Sequence, residues 1–394
     1  MADAPARRPG VAALGTWGGG RFMRFGEAIE AERLVDLLRP DERLDTVLTA
    51  DVYGAGAADQ LLALALSGAR REDVCVVGAV GHDFYEGERQ GAKGFPRFTD
   101  PALRGPSEYA GYLRMATERS LERCGIDRFD VLLLHNPDRI GYTSEAVWEA
   151  MAALREAGLT AAIGVAPGPA NGFTLDLIGC FERFGALIDW AMLILNPLEP
   201  WPGELALGAA DAADVKVIAR VVDYGGLFWG DIHAGHSFRA DDHRAFRPAG
   251  WVEAGLERIE EMRPIAVRNG LTMLQLACAW DLAQPAVSCV APTLIQEAGA
   301  DARPIEDKRA ELAEPASSQR LSAGDVALIR ALGDNKGCMA LKGATPDHDG
   351  AELPDRWALD ERQLEVAARW QIDPQSDLRA HVGRAREGAT TAGA

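Results

Sequence analysis

Short, almost continuously apolar runs alternate along the chain with longer segments whose apolar residues recur at helical spacing. Seven of these runs are predicted as strands, and a weaker run at 14–18 is predicted as an earlier first strand. The seven runs cover residues 46–52, 74–80, 130–136, 161–167, 189–196, 215–222 and 286–292. Because they lack an alternating polar face, these strands are predicted to be buried on both sides, as in a parallel sheet covered by helices.

The segments between the runs predict the covering helices. Residues 107–125 place most of their apolar side chains on one face. Residues 144–158 begin at Ser144 and end at Gly158, which are residue types that favour helix boundaries. Eight strand–helix units favour an α/β fold of the (β/α)8 type, a TIM barrel, over an open sheet.

The pattern also predicts how the chain is divided. Residues 1–10 are predicted as a flexible N-terminus and residues 11–335 as the barrel. Residues 336–382 are predicted as a C-terminal extension, a candidate cover for the barrel mouth, and residues 383–394 as a disordered tail. A long polar loop at 81–106 follows the third strand, where a TIM barrel builds its active site.

Composition narrows the class of protein. The 394 residues carry a formal net charge of −18, which argues against nucleic acid and anionic membranes as partners. The six cysteines include no C-x-x-C pair, so neither a zinc site nor a disulfide framework is predicted. The N-terminus lacks the apolar core of a signal peptide. We therefore predict a cytoplasmic protein with reduced thiols.

Five motifs then occur in a specific order. They are ALGTWGGG near the start, TADVYGAG after the second strand, RREDVCVVGAVG at the third, ERSLERCGIDRFDVLLLHNPD through the fourth and LREAGLTAAIGVAPG at the fifth. On these motifs the chain resembles the aldo-keto reductase family over roughly residues 10–335. The resemblance implies a TIM barrel that reduces small-molecule carbonyl substrates with NADPH, or sometimes with NADH.

The resemblance also implies a catalytic set of an aspartate, a tyrosine, a lysine and a histidine. The tyrosine matches Tyr53 and the histidine matches His135, whereas Leu48 stands at the aspartate position and Ala79 at the lysine position. Because both the aspartate and the lysine are absent, neither is buried without its partner, which would destabilise the fold. Asp51 lies three positions after Leu48 and so points the other way in a strand. We interpret the acid as replaced and not shifted.

The positions that bind the nicotinamide cofactor in the family differ as well. The Ser-Asn pair that ends strand five reads Ala-Pro at 166–167, and the glutamine of strand six reads Met192, with Asn196 shortly after it. The strand-seven aromatic that stacks on the nicotinamide is replaced by Arg220, and Thr293 lies in the turn after strand eight. Asn196, Arg220 and Thr293 are the candidate cofactor residues for NADP or NAD.

Other residues add candidate chemistry near the missing lysine. The loop motif GHDFYEGE contains His82, a third candidate catalytic residue whose alternative is a solvated loop histidine. The spacing of His82, Asp83 and His135 is not diagnostic of metal binding, and no metal site is predicted. Three lysines outside the strands are candidates to restore the missing positive charge: Lys93, Lys336 and Lys342.

Three functions stay open at this point. The first is an aldo-keto-reductase-like oxidoreductase with a modified acid–base set, acting on a small carbonyl or sugar-like substrate. The second is a non-redox lyase, dehydratase or epimerase on the same barrel, which needs only an acid and a base such as Tyr53 and His135. The third is a non-catalytic binding member of the fold. The first is preferred, although a fold alone does not determine function.

Overall fold

The computed structural model describes residues 7–91, 94–168, 173–314, 321–333, 342–353 and 355–379. Eight parallel strands form one sheet in chain order. These strands are β1 (Ala13–Gly15), β2 (Thr46–Leu48), β3 (Cys75–Val80), β4 (Phe129–His135), β5 (Thr160–Ala166), β6 (Trp190–Ile194), β7 (Lys216–Arg220) and β8 (Val287–Ala291). A parallel bridge between Ala12 and Val290 joins the first strand region to the last. The predicted (β/α)8 barrel is confirmed.

Helices cover the outside of this barrel. Those along the barrel are α1 (Ala31–Leu38), α2 (Ala57–Leu66), α3 (Tyr109–Cys124), α4 (Arg139–Thr143), α5 (Glu145–Glu156), α6 (Thr174–Phe184), α7 (Glu204–Ala212), α8 (Trp251–Asn269), α9 (Met273–Leu282), α10 (Ile305–Ala313) and α11 (Ala323–Leu332). The helices predicted at 107–125 and 144–158 correspond to α3 and α5.

Side chains of the strands alternate between two apolar cores. In β4, Leu132 and Leu134 pack in the core between the sheet and the helices, whereas Val131 and Leu133 pack inside the barrel. Successive side chains of a strand point to opposite faces, so a strand with a core on each face has no polar side. This double burial explains why residues 131–134 of β4 are all apolar.

The long loop after β3 is anchored by a buried ion pair. The carboxylate of Asp83 pairs with the guanidinium of Arg104, and both side chains are buried. The other oxygen of Asp83 accepts from the backbone N–H groups at 85–86, at 3.0 and 2.9 Å. An antiparallel bridge pairs His82 with Arg97 across the loop. The loop therefore holds His82 at the carboxyl end of β3.

The C-terminal extension packs against the flank of the barrel. It contains the parallel pair β9 (Gly343–Thr345) and β10 (Arg356–Ala358), with α12 (Glu361–Arg369) and α13 (Pro374–Asp377). Asp176 of α6 accepts from the backbone N–H of Ala344 at 3.2 Å and from Gln363 Nε2 at 2.9 Å. Trp201 Nε1 donates to the backbone oxygen of Asp377 at 2.6 Å. That the extension covers the barrel mouth stays a prediction.

The two ends of the chain are described only in part. Residues 1–6 and 383–394 lie outside the described residues, so the predicted flexible ends stay predictions. Residues 7–10 contact the barrel: the backbone N–H of Arg7 donates to Asp130 Oδ1 at 3.0 Å, and its guanidinium pairs with Asp45 at 2.7 Å.

The described helices and cysteines form neither a membrane span nor a disulfide bond. In the described ranges no helix has both the length and the apolar character that crossing a membrane requires. The described cysteines are free thiols and all are buried: Cys75, Cys124, Cys180, Cys278 and Cys289. Cys338 lies outside the described residues.

Candidate active site at the mouth of the barrel

Tyr53 and His135 meet at the carboxyl ends of the strands. Tyr53 begins a short 3-10 turn after β2, and His135 is the last residue of β4. Their rings lie edge to face, with centroids 5.7 Å apart and planes at 88°. Trp17, in the turn after β1, lies edge-on to the Tyr53 ring at 6.4 Å. The fold thus brings together the two residues that the sequence predicts as acid and base.

Leu48 and Ala79 both point into the barrel interior. They belong to the same apolar cluster, against which the Tyr53 ring packs. Only 1% of Leu48 and 4% of Ala79 is exposed, so neither site offers solvent to an ionised group. An apolar pair therefore occupies the positions where the resemblance implies an aspartate and a lysine.

Asp51 lies on the other side of β2 from these residues. It is fully buried, and neither carboxylate oxygen has a hydrogen-bond partner among the described residues. Burial, followed by the negative charge of Asp59, raises the pKa of Asp51 well above its usual value, and Arg123 opposes this shift. Asp59 and Arg123 belong to α2 and α3, so Asp51 faces the helices and does not replace the missing acid beside Tyr53.

His82 lies beside His135 and is buried, in contrast to a solvated loop histidine. The two imidazole centroids are 5.1 Å apart, with planes at 71°. We assign its Nδ1–H as donor to the backbone oxygen of Phe95 at 3.0 Å and its Nε2 as acceptor from Asn136 Nδ2 at 3.0 Å. Burial, followed by the charge of Arg97, lowers the pKa of His82 to about 3. His82 is therefore neutral near pH 7.

His135 is also held as a neutral imidazole. Burial lowers its pKa well below the usual value, and the neighbouring His82 and cationic arginines act in the same direction. Its Nδ1 is buried without a partner among the described residues. Gly81 makes this packing possible, because a Cβ there would lie 2.6 Å from the backbone oxygen of His135.

Arg220 supplies a positive charge beside Tyr53. It ends β7, and its Nη2 donates to the backbone oxygens of Pro167 and Gly168 at 3.0 and 3.3 Å. Burial raises the pKa of Tyr53 above its usual value, and the charge of Arg220 opposes that rise. The cation near the phenol thus comes from β7 and not from β3.

Arg97 and Asn136 also line this site, although neither was predicted from the sequence. Arg97 donates through Nε to the backbone oxygen of Asn136, and its charge lowers the pKa of both His82 and His135. The sequence held only indirect signs of them: Asn136 follows His135, and Arg97 lies in the polar loop 81–106. The His82–Arg97 bridge that positions Arg97 spans 15 residues without a motif.

Two of the predicted cofactor residues make structural hydrogen bonds. Asn196 Nδ2 donates to Val221 O at 3.0 Å, and its Oδ1 accepts from the backbone N–H groups at 198–199, at 3.0 and 2.8 Å. The backbone N–H of Thr293 donates to Asp223 Oδ1 at 2.6 Å, and its oxygen accepts from Trp229 Nε1 at 2.9 Å. The side-chain amide of Asn196 is therefore already hydrogen-bonded to the backbone around it. The contacts of Thr293 involve only its backbone, so its hydroxyl takes no part in them.

Of the three candidate lysines, one lies within the described residues. Lys342 pairs with Asp355 at 3.4 Å, and its charge is one of the causes that lower the pKa of His82. Lys93 and Lys336 lie outside the described residues. In the described part of the chain no group of three His, Cys, Asp or Glu side chains is arranged to hold a metal ion.

Comparison with known sequences gives matches over most of the barrel. The sequence model of the Aldo/keto reductase family matches residues 13–302. A probable voltage-gated potassium channel subunit beta from Oryza sativa subsp. japonica is 26% identical over 285 residues, which cover 69% of this chain and 80% of the relative. A protein of the same description from Arabidopsis thaliana is 24% identical over 295 residues, with the same coverage of 69% and 80%.

Solved structures share the fold. A glycerol dehydrogenase from Gluconobacter oxydans superposes with a TM-score of 0.63 at 21% identity, covering 84% of this chain and 95% of that one. A holo-form aldo-keto reductase from Bacillus halodurans gives 0.58 at 19% identity, covering 84% and 97%. An aldo-keto reductase from Klebsiella pneumoniae in complex with NADPH gives 0.53 at 20% identity, covering 83% and 95%.

Proposed function

The chain belongs to the aldo/keto reductase family, and from that premise we propose that it is a nicotinamide-dependent oxidoreductase that reduces a small carbonyl or sugar-like substrate. Tyr53 is its proton donor, His135 orients the carbonyl, and Arg220 takes the electrostatic part of the missing lysine. His82 supports His135 from the long loop. This proposal rests on the edge-to-face contact between the rings of Tyr53 and His135. The charge of Arg220 acts on both of these residues.

The polar groups around Tyr53 are compatible with a nicotinamide cofactor. His135 Nδ1 and Arg220 Nε are buried and unpartnered among the described residues, so each has hydrogen-bonding capacity for a ligand. Trp17 and Arg220 are the residues that would flank the nicotinamide, which supplies the hydride when it is bound. The Klebsiella pneumoniae neighbour solved with NADPH supports a cofactor of this class.

The charge state of Tyr53 favours reduction over oxidation. Burial keeps the pKa of Tyr53 above its usual value although Arg220 opposes the shift. The phenol is therefore protonated near pH 7 and can donate to a carbonyl oxygen that gains negative charge. Oxidation of an alcohol would need the phenolate, which this environment disfavours. The neutral His135 can donate a hydrogen bond to the same oxygen without holding a full charge.

A non-redox enzyme is the second candidate, because the ends of β5 and β6 lack the expected amide-binding side chains. Ala166 and Pro167 end β5, and the buried Met192 lies in β6. A lyase, dehydratase or epimerase would need only proton transfer by Tyr53 and His135. This candidate predicts exchange of a substrate proton with D₂O in the absence of NADPH.

A purely binding role is less well supported. The rice and Arabidopsis relatives are described as probable channel subunits, which is a statement about those proteins. In this chain two buried, neutral imidazoles lie against a partly buried phenol at the barrel mouth. Burying polar side chains with unsatisfied atoms is costly, so such groups are more often kept for chemistry than for packing.

The proposal is tested by the oxidation of NADPH with a panel of small aldehydes, ketones and aldoses. We expect Tyr53→Phe and His135→Ala to lower turnover by about 10²-fold or more, because each removes a group that acts in proton transfer. Tyr85→Phe and His348→Ala are matched controls. Tyr85 accepts from Arg123 at 3.0 Å on the helix side, and His348 is half-buried in the C-terminal extension, where its Nε2 contacts the backbone oxygen of Ala351. Unchanged turnover in both site variants would refute the assigned roles.

A further inference from the structure

Two arginine side chains at the barrel mouth lack an acidic partner among the described residues. Arg220 donates to the backbone oxygens of Pro167 and Gly168, and its Nε is buried without a partner. Arg97 donates through Nε to the backbone oxygen of Asn136. Carbonyl groups satisfy N–H donors but do not neutralise their charge. Because an uncompensated cation is costly to remove from water, such a pair of half-buried arginines at the barrel mouth indicates an anionic ligand.

The acids that act on these two cations are already engaged elsewhere. Asp138 has the largest favourable effect on Arg97, yet its carboxylate accepts at 2.7 and 2.9 Å from a threonine hydroxyl and a backbone N–H. Glu199 is the carboxylate that acts on Arg220, and it pairs with Arg247 at 3.2 Å. Asp355, which also acts on Arg97, pairs with Lys342 at 3.4 Å. None of these three acids is free to turn toward Arg97 or Arg220 without losing its contacts.

The remaining groups of the site do not supply a negative charge either. His82 and His135 are neutral, because burial, followed by the positive charge around them, holds the pKa of both below its usual value. The two guanidinium groups are held by neighbouring backbone segments, since a Cβ on Gly168 would lie 3.8 Å from Asn136 Oδ1. Arg97 is thus tied to Asn136 and Arg220 to Gly168, which lies near Asn136, and the charges of both arginines act on His135.

We propose that Arg97 and Arg220 form an oxyanion subsite that binds a carboxylate or phosphate of the substrate beside His135. That the anion belongs to a carbonyl substrate rests on the proposed function. A guanidinium presents planar N–H donors that match the oxygens of both groups, which a single lysine ammonium cannot do. The subsite selects carbonyl compounds that carry a compact anion over neutral compounds of the same size.

The test uses the full chain and three ring compounds of similar size: benzoate, phenyl phosphate and the neutral benzamide. Their binding is measured by calorimetry for the wild type, Arg97→Met, Arg220→Met and Arg220→Lys. Arg220→Lys keeps the charge and loses the planar donors, so it remains informative where Arg220→Met fails to fold. Arg89→Met is the control, because Arg89 is an exposed arginine of the same loop whose guanidinium lies 5.8 Å from the Phe95 ring.

We expect at least one anion to bind the wild type about tenfold more tightly than benzamide, and both methionine variants to lose about tenfold or more of that affinity. Loss for benzoate identifies a carboxylate as the ligand, and loss for phenyl phosphate identifies a phosphate. Arg89→Met should bind like the wild type.

Equal binding of all three compounds, or anion binding that is unchanged in both arginine variants, would overturn the subsite. The readout is binding and not turnover, so it separates the two proposals. A chain that binds the anions through Arg97 and Arg220 but reduces no carbonyl would support the subsite and contradict the proposed function.

Discussion

At the scale of single residues, the site keeps a tyrosine and a histidine but changes the source of positive charge. Arg220 reaches Tyr53 from β7, whereas the lysine position on β3 is the apolar Ala79. An arginine stays charged even where burial lowers its pKa, as it does here. The positive charge that acts on Tyr53 thus comes from β7, and the barrel interior beside Tyr53 is apolar.

The apolar pair can be tested by restoring the charges. Ala79→Lys alone should lower the free energy of unfolding by about 3–5 kcal/mol, because it buries a charge that faces no partner. Adding Leu48→Asp should recover much of that loss, since both side chains lie in one interior cluster. Urea unfolding of the two single variants and the double variant measures this. A double variant no more stable than Ala79→Lys would contradict the assignment of these positions.

The buried carboxyl group of Asp51 should make the stability of the fold depend on pH. Burial raises the pKa of Asp51 in the folded state above its value in the unfolded chain. The free energy of unfolding is therefore highest below the unfolded-state pKa, and it falls as pH rises toward the folded-state pKa. One such group changes the free energy of unfolding by about 1.4 kcal/mol per pH unit in that window. Asp51→Asn cannot ionise and should gain stability over the wild type as pH rises.

Urea unfolding between about pH 4 and pH 7 measures that gain, starting near the ordinary aspartate pKa. The control is Glu122→Gln, because Glu122 is an exposed carboxylate on α3 and should follow the wild type. A constant difference between Asp51→Asn and the wild type over this range would mean that Asp51 is not buried as an unpaired acid.

At the scale of elements, the eight strands could be predicted because most of their residues are buried and apolar, with few polar residues among them. The bounds differ by a few residues: β7 ends at Arg220, two residues before the predicted end at 222. The side chains that complete the site could not be predicted in the same way. Arg97 reaches it through a bridge to His82 inside an irregular loop, and such contacts leave no periodic pattern in the sequence.

The anchor of that loop is the Asp83–Arg104 ion pair. Arg104→Met should cost about 3–5 kcal/mol, because it leaves the buried Asp83 without its partner. Arg104→Met combined with Asp83→Asn should recover part of this, since no charge then remains buried. Urea unfolding and proteolysis within residues 81–106 are the measurements. Arg114→Met, which breaks an exposed ion pair on α3, should cost less than about 1 kcal/mol. Equal effects of Arg104→Met and Arg114→Met would contradict the anchor.

At the scale of the whole molecule, a strongly acidic protein carries two arginines at the mouth of its barrel. The chain has a net charge of −18, yet Arg97 and Arg220 have no carboxylate partner among the described residues. Long-range repulsion of anions is screened over about 10 Å at 0.1 M salt, whereas half-buried cations such as Arg97 and Arg220 are screened much less. Anionic ligands should therefore bind through local contacts more than through long-range attraction.

The proposed function depends on the binding of a nicotinamide cofactor, although the resemblance places different residues at several of the family's cofactor positions. The most direct measurement is a calorimetric titration of the full chain with NADPH and then with NADH. We predict saturable binding of at least one of them with a micromolar dissociation constant, weakened in Arg220→Met. Absence of binding of both cofactors up to millimolar concentration would contradict hydride transfer and favour the proton-transfer enzyme built on Tyr53 and His135.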